Sequence, residues 1–385
     1  MGKLARSIGG GLRTAAKIWR EARAASAEHR VGAGRILTDA VALRTRHSLG
    51  ILDYFRYRLY DPRLTRQEKL RYLSSANLRA DLSSRLTPPR YRALYANKLI
   101  FQQFFEGAGL PLARIYAVYD PAVGHTAEGR SLRNATDLRA WMESFGGDGF
   151  VFKAAQGEQG RQILVFTERV PGDRAGFVTM AGERYDAEGL VRFATTVARE
   201  EHRLGRKRYQ PGRDDSFLLQ ERLRPHPALA AFVGPTLCCV RVQTFVALDG
   251  TPRLLGSVFK LQPGRLGVDH LLYGAVGCWV DPDTGALGRG RTRDSQADVT
   301  LIPGTDRSFV GFQLPHWAEL KALALRAAAA FPWARAIGWD IGITDRGPVL
   351  VEGNPAWSPS LIQLPAPSGL FAGEFKALCD SLRHG

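Results

Sequence analysis

The apolar positions of this chain fall into two regimes. Over residues 12–29, Leu12, Ala15, Trp19 and Ala22 recur at helical spacing among basic residues, and the Gly9-Gly10-Gly11 run argues against a helix before them. A helix carrying Asn97 and Lys98 is expected over residues 95–109. Beyond it the pattern changes to short apolar runs bounded by turn residues, which read as strands over 114–119, 150–155, 161–166, 217–223, 237–246 and 254–261. Residues 120–148 read as loop and helix ending in the Gly146-Gly147-Asp148-Gly149 turn, and residues 363–385 as a closing loop and helix.

The most informative run is Gly338 to Asn354, two apolar strands joined by Asp345-Arg346-Gly347. A three-residue loop with Gly last sets Thr344 opposite Pro348, and the constant sum along an antiparallel ladder then sets Asp340 opposite Glu352. Like charges at that spacing destabilise the pair, so a divalent cation is the simplest compensation. Asn354 lies on the same face by strand alternation and completes an all-oxygen set that suits Mg²⁺ or Mn²⁺. An ordinary hairpin with solvated acids is the competing reading. On the metal reading, replacing Asp340 or Glu352 is expected to abolish turnover and leave the fold intact.

Three other segments carry candidate chemistry. Lys153 ends one strand and the loop Gln156-Gly157-Glu158-Gln159-Gly160 follows it, an arrangement that folds backbone N–H groups and a lysine over phosphates, although most such loops are only turns. The strand ending in Gln220-Glu221-Arg222-Leu223 has the layout of a linker that offers backbone groups to an adenine edge and a carboxylate to ribose; a plain edge strand is the alternative. Alternation puts Arg241 and Gln243 on one face, and an arginine in an apolar strand needs an anionic partner, either a structural carboxylate or a substrate phosphate. Lys260 stands in the next strand, and Asp269-His270 in the loop after it. No serine, cysteine or histidine triad signature accompanies them.

Composition narrows the class. At 385 residues and 45% hydrophobic the chain is globular and long enough for two or three domains. Four cysteines without a CxxC pair fit a reducing, cytoplasmic setting, and no run is apolar over the ~20 residues of a membrane span. The net charge of +16 is concentrated: residues 1–100 hold 21 Lys and Arg against 7 Asp and Glu. That basic region, including Tyr54-Phe55-Arg56-Tyr57-Arg58-Leu59-Tyr60, could meet an anionic membrane surface or an acidic polymer, but carries no specific nucleic-acid motif. A solvated basic face on a helical cap is the plainer account.

Taken in order, Asn97-Lys98, Phe152-Lys153 with the glycine loop, Gln220 to Leu229, Val240-Arg241-Val242, Val268-Asp269-His270, Asp281-Pro282-Asp283-Thr284-Gly285 and Gly338 to Asn354 resemble the ATP-grasp superfamily, in its sugar-transfer-associated branch. The resemblance implies an α+β fold of two lobes gripping ATP, behind a basic helical N-terminal region. Its expected divisions are residues 1–90, a pre-grasp segment 91–148, a small lobe 149–222 and a large lobe 223–385. It implies nucleotide contacts from Lys98, Lys153, Gln156, Gly157, Gly160, Gln220, Glu221 and Leu223, catalytic roles for Arg241 and Lys260, and Asp340, Glu352 and Asn354 on metal. The branch usually has asparagine where His270 stands and often arginine where Lys260 stands, and lysine cannot reproduce a bidentate fork. The implied activity is an ATP- and Mg²⁺-dependent ligase joining a carboxylate to an amine, in cell-surface saccharide or peptide modification. A kinase with a hydroxyl acceptor and a nucleotide-binding regulatory or scaffold protein are the alternatives.

Overall fold

The computed structural model describes residues 2–74, 78, 82–156, 163–171, 176–203, 216–264, 274–292 and 297–384. The glycine loop 157–160 and Asp269-His270 lie outside them. Helix α1 (Gly2–His29) begins earlier than its sequence suggests and runs through Gly9-Gly10-Gly11. Each glycine costs about 1 kcal/mol relative to alanine, a penalty that a long helix anchored further along absorbs. The anchor is the face of Ala22 and Ala25, buried against Ile36, Ala40 and Leu43 of α2 (Ala33–His47) and Tyr54 and Phe55 of α3 (Ile51–Arg56). Trp19, expected on that face, is 54% exposed. In the Tyr54–Tyr60 run the aromatic residues are buried and Arg56 points outward, so the interleaving is a burial pattern.

This helical unit is bonded into the rest of the chain. Tyr57 Oη donates to Leu73 O at 3.0 Å and lies 3.1 Å from Ser360 Oγ. Buried Gln363 accepts from Leu73 N (3.0 Å) and Leu370 N (3.2 Å) and donates to Leu73 O (2.8 Å).

The expected helix over 95–109 is two helices, α4 (Arg92–Ala96) and α5 (Lys98–Gly107), broken at Asn97. Asn97 takes an extended conformation and its Oδ1 accepts from Leu99 N and Ile100 N, which is N-capping. Seven strands form the first sheet, in the order β2 (His125–Thr126), β1 (Ile115–Tyr119), β7 (Phe217–Glu221), β3 (Phe150–Ala154), β4 (Ile163–Val170), β5 (Gly176–Thr179), β6 (Arg184–Tyr185), all neighbours antiparallel. Segment 91–148 thus contributes β1 and β2 to the same sheet as the strands after it. Phe150, Phe152 and Ala154 point into an aromatic core with α6 (Ala135–Ser144) and α7 (Ala187–Arg203). Lys153 therefore points to the other face.

The second sheet has six antiparallel strands, β11 (Leu287–Arg291), β10 (Val276–Val280), β9 (Pro252–Leu261), β8 (Cys239–Val246), β12 (Ala336–Thr344) and β13 (Gly347–Asn354). One face, with Val240, Val242, Phe259, Ile337, Trp339 and Ile341, packs on α8 (Trp317–Ala330) and on Phe101 and Phe105 of α5. The other face is polar at its centre. Its far end is covered by α9 (Pro359–Gln363) and α10 (Gly373–His384) through Phe245, Val258, Ile362 and Phe375.

Gln363→Leu keeps the volume but strands Leu73 N and Leu370 N, while Leu73 O keeps the Tyr57 hydroxyl. At about 1–3 kcal/mol for a buried polar group left unsatisfied, the loss in chemical denaturation is expected to be about 3 kcal/mol. A loss below about 1 kcal/mol would mean that this junction does not hold the helical unit in place.

Candidate active site between the two sheets

The β12–β13 turn is one residue tighter than expected. Thr344 pairs with Gly347, whose φ of +105° suits glycine, and Ile343 pairs with Pro348. A bulge then inserts Val351 and restores the expected pairing of Asp340 with Glu352. Asp340 also pairs with Arg241 of β8, so in-register residues Arg241, Asp340 and Glu352 form one row across three strands. Gln243, Gly338 and Asn354 form the next. A Cβ at Gly338 would sit 2.9 Å from Gln243 Oε1 and 3.0 Å from Arg241 Cδ, so glycine is what lets these side chains lie across the strand.

The chemistry in the first row differs from the expectation of a metal bridging two acids. Arg241 donates from Nε to Asp340 Oδ1 (2.8 Å) and from Nη2 to Oδ2 (2.9 Å), and Lys260 Nζ lies 3.4 Å from Oδ1. Of the two partners the sequence left open for Arg241, the structure holds the carboxylate. Burial pushes the Asp340 carboxyl up, and the charges and hydrogen bonds of Arg241 and Lys260 reverse this and bring it to about 2. Asn354 Nδ2 donates to Gly338 O (3.3 Å) and Asp340 Oδ2 (3.4 Å), leaving its Oδ1 to accept. Among the described residues no three His, Cys, Asp or Glu side chains cluster as a metal site. Glu352 and the Asn354 carbonyl are oxygen donors that fit a hard cation, whereas Asp340 has its oxygens engaged.

The lysines come from elsewhere. Lys98 opens α5, its backbone N donating to Ala155 O at 2.8 Å, and Asn97 forms a β-bridge with Gln156, so the start of the helix is tied to the end of β3. Lys153 is buried. Burial first, and the charge of Lys98 second, lower its ammonium to about 8, while Glu352 and Cys239 act the other way. Lys153 of the first sheet is thus within electrostatic reach of Lys98 and of Glu352 of the second sheet.

The remaining expected residues are more occupied than the sequence indicated. The Gln220 side chain is buried and donates to Ala113 O (3.1 Å) and Gln102 Oε1 (3.4 Å). Glu221 accepts from Arg114 N at 3.1 Å and pairs with Arg346 of the β12–β13 turn, joining the sheets at one end. Leu223 is half-buried in the connection.

Sequence reading passed over two arginines. Arg291 pairs with Gly277, and Gly277 with Lys260, so only a glycine separates the two cations along that row. Arg289 and Arg291 both meet Asp298, at 3.5 and 2.7 Å. Their alternation in Arg289-Gly290-Arg291 was legible, but their alignment with Lys260 required the strand order.

The chain belongs to the sugar-transfer-associated ATP-grasp family, whose model matches residues 77–378. Its fold is the ATP-grasp fold, two α+β lobes with a helical N-terminal region. No curated protein matches it. Among solved structures it is similar to the biotin carboxylase–β-γ-ATP complex of Campylobacter jejuni, with 13% identity and a TM-score of 0.44 over 76% of this chain and 46% of that one. It is also similar to D-alanyl-alanine synthetase A of Vibrio cholerae, with 11% identity and a TM-score of 0.40 over 76% and 66%. An ADP complex of N5-carboxyaminoimidazole ribonucleotide synthetase matches at 11% identity and 0.37 over 75% and 52%. The chain thus spans less than half the length of that biotin carboxylase.

Asp340 is now expected to matter for stability as well as chemistry, against the sequence expectation. Asp340→Ala leaves Arg241 and Lys260 buried without their counter-charge, a loss of about 3–5 kcal/mol, whereas Glu352→Gln should cost under about 1 kcal/mol. Because the folded carboxyl is held below its unfolded value near 3.8, its contribution is full above that pH and is lost as pH falls towards about 2. Thermal unfolding of both variants between pH 2 and 7 checks this. Equal losses, or no flattening of the acid limb in Asp340→Ala, would contradict it.

Proposed function

We propose that the protein is an ATP- and Mg²⁺-dependent ligase that activates a carboxylate as an acyl phosphate for attack by an amine or other nucleophile. What supports this reading is the buried Arg241–Asp340–Lys260 group of the second sheet, together with buried Lys153 of the first sheet, whose ammonium feels the charges of both Lys98 and Glu352. Family membership supports ATP as the nucleotide, and the family's association with sugar transfer supports an acceptor in cell-surface saccharide or peptide modification.

In this reading Lys98 and Lys153 hold the phosphates, with Gln156 just beyond the Lys153 strand. Gln220, Glu221 and Leu223 belong to the nucleoside end, where the side chains of Gln220 and Glu221 hold the linker. Glu352 and Asn354 would hold Mg²⁺, with Asp340 alongside; the ion would supply charge neutralisation at the phosphates. Arg241 and Lys260, positioned by Asp340, face the transferring phosphoryl group and the acceptor carboxylate. A carboxylate oxygen attacks Pγ, the Pγ–O bond to ADP breaks, and the amine then attacks the acyl carbon. It loses a proton and releases phosphate that keeps the former carboxylate oxygen. The protein's part is to align two anions and offset their charge, which needs no protein nucleophile.

Carboxylate acceptors labelled with ¹⁸O, screened with ATP over amino acids, uronic acids and small peptides, test the reaction class. One label per turnover should appear in inorganic phosphate when an amine is present. A stable phosphorylated product with no label in phosphate would make the protein a kinase, and nucleotide binding without turnover would favour a regulatory role.

Lys153 gives a test independent of turnover. With its pKa near 8 in the free protein, polyphosphate bound beside it should restore the proton. Calorimetry of a non-hydrolysable ATP analogue at pH 8, in buffers of different ionisation enthalpy, should show net proton uptake that vanishes in Lys153→Met. Identical uptake in both would remove Lys153 from the phosphate site.

A further inference from the structure

We propose that the N-terminal helical unit docks the enzyme on an anionic lipid bilayer. Its motivation lies in a face of α1 that the catalytic lobes do not use. Ala22 and Ala25 face α2 and α3, and the opposite side carries Arg13, Lys17, Arg20, Ala24 and Ala27 in a single stripe at i, i+4, i+7, i+11 and i+14, all exposed. On one flank Arg23 is exposed, and Trp19, about 120° round the helix from the stripe and next to the Ala22 face, is 54% exposed. No acidic residue stands in the stripe: Glu21 and Glu28 fall towards its flank, and Glu28 is engaged by Arg58. Helix α2 adds surface Arg35, Arg44 and Arg46, and leaves Val41 49% exposed.

Charge and exposed apolar residues together select the partner. A second copy of the chain would bring like charge against like charge. An acidic polymer would satisfy the arginines, but an exposed tryptophan on the same helix gains nothing from it. An anionic bilayer satisfies both, since basic side chains meet headgroups and tryptophan is at home in the interfacial layer. The alanines of the stripe leave room for arginine and lysine stems to lie along the helix. No described helix is long and apolar enough to cross a membrane, so the contact is one of docking on a surface.

Flotation of the full chain with phosphatidylcholine vesicles, with and without phosphatidylglycerol, tests the proposal. Wild-type protein should float only with anionic vesicles, and less as salt is raised. Arg13→Gln with Arg20→Gln should weaken partitioning on the order of thirtyfold, from the usual contribution of each basic residue near a charged membrane. Trp19→Ala should weaken it further. Arg130→Glu, an exposed change in the other sheet's lobe with the same effect on net charge, should float like wild type. Circular dichroism and melting of each variant show whether the fold is kept. Wild-type protein that stays unbound at low salt, or a double glutamine variant that floats like wild type, would overturn the proposal. Capture by polyphosphate without vesicle binding would also overturn it, in favour of an acidic polymer.

Discussion

Buried charge is the constraint around which the centre of this molecule is arranged. Arg241, Lys260 and Lys153 are cations under cover, with Asp340 clamped between the first two and Glu352 close to the third. Desolvating a cation costs several kcal/mol unless a counter-charge or hydrogen bonds compensate it. Asp340 meets that requirement for Arg241 and Lys260, and Lys153 responds to its enclosure and to Lys98 by giving up part of its basicity. In the proposed function an incoming polyphosphate would add negative charge beside Lys153.

The apolar side of the second sheet sets these charges in place. Trp339, between Gly338 and Asp340, is completely buried and packs on Phe105 and Tyr95. Those contacts fix where α5 begins, and Asn97 caps that helix while bridging to Gln156 beyond β3. Lys98 is therefore located by packing on the second sheet and by hydrogen bonding at the end of β3 in the first. The lobes are further joined through Leu350 N to Pro111 O and the Arg346–Glu221 pair. The helical N-terminal unit, attached through Tyr57, Leu73 and Gln363, is part of this framework. Its outer face is a separate matter of surface charge.

Much of the strand pattern was legible because a buried face forces alternation. Phe150, Phe152 and Ala154 on one side of β3 specify Lys153 on the other. The Asp340–Glu352 pairing was also reached, but through two offsets: the turn is one residue shorter than the Gly347 signal implied, and the Val351 bulge makes up the difference. Local sequence cannot reveal such a bulge, since it depends on how the strand bends around the core. The break at Asn97 had a readable signal, an asparagine before a helical apolar run, masked by the continuous pattern from Tyr95. The partner of Arg241 and the row joining Lys260 to Arg291 depend on strand order, which no local pattern encodes. Conversely, the helix through Gly9-Gly10-Gly11 shows how a packed continuation outweighs local propensity.

A crystal structure with a non-hydrolysable ATP analogue and Mg²⁺ tests the central claim most directly, because it locates the nucleotide irrespective of the acceptor. The phosphates should lie between the two sheets, within hydrogen-bond reach of Lys98 Nζ and Lys153 Nζ, with a cation on Glu352 and Asn354. The Arg241–Asp340 pair should lie beside the γ-phosphate. A nucleotide seated elsewhere, or one that leaves Lys153 without a phosphate contact, would contradict the account.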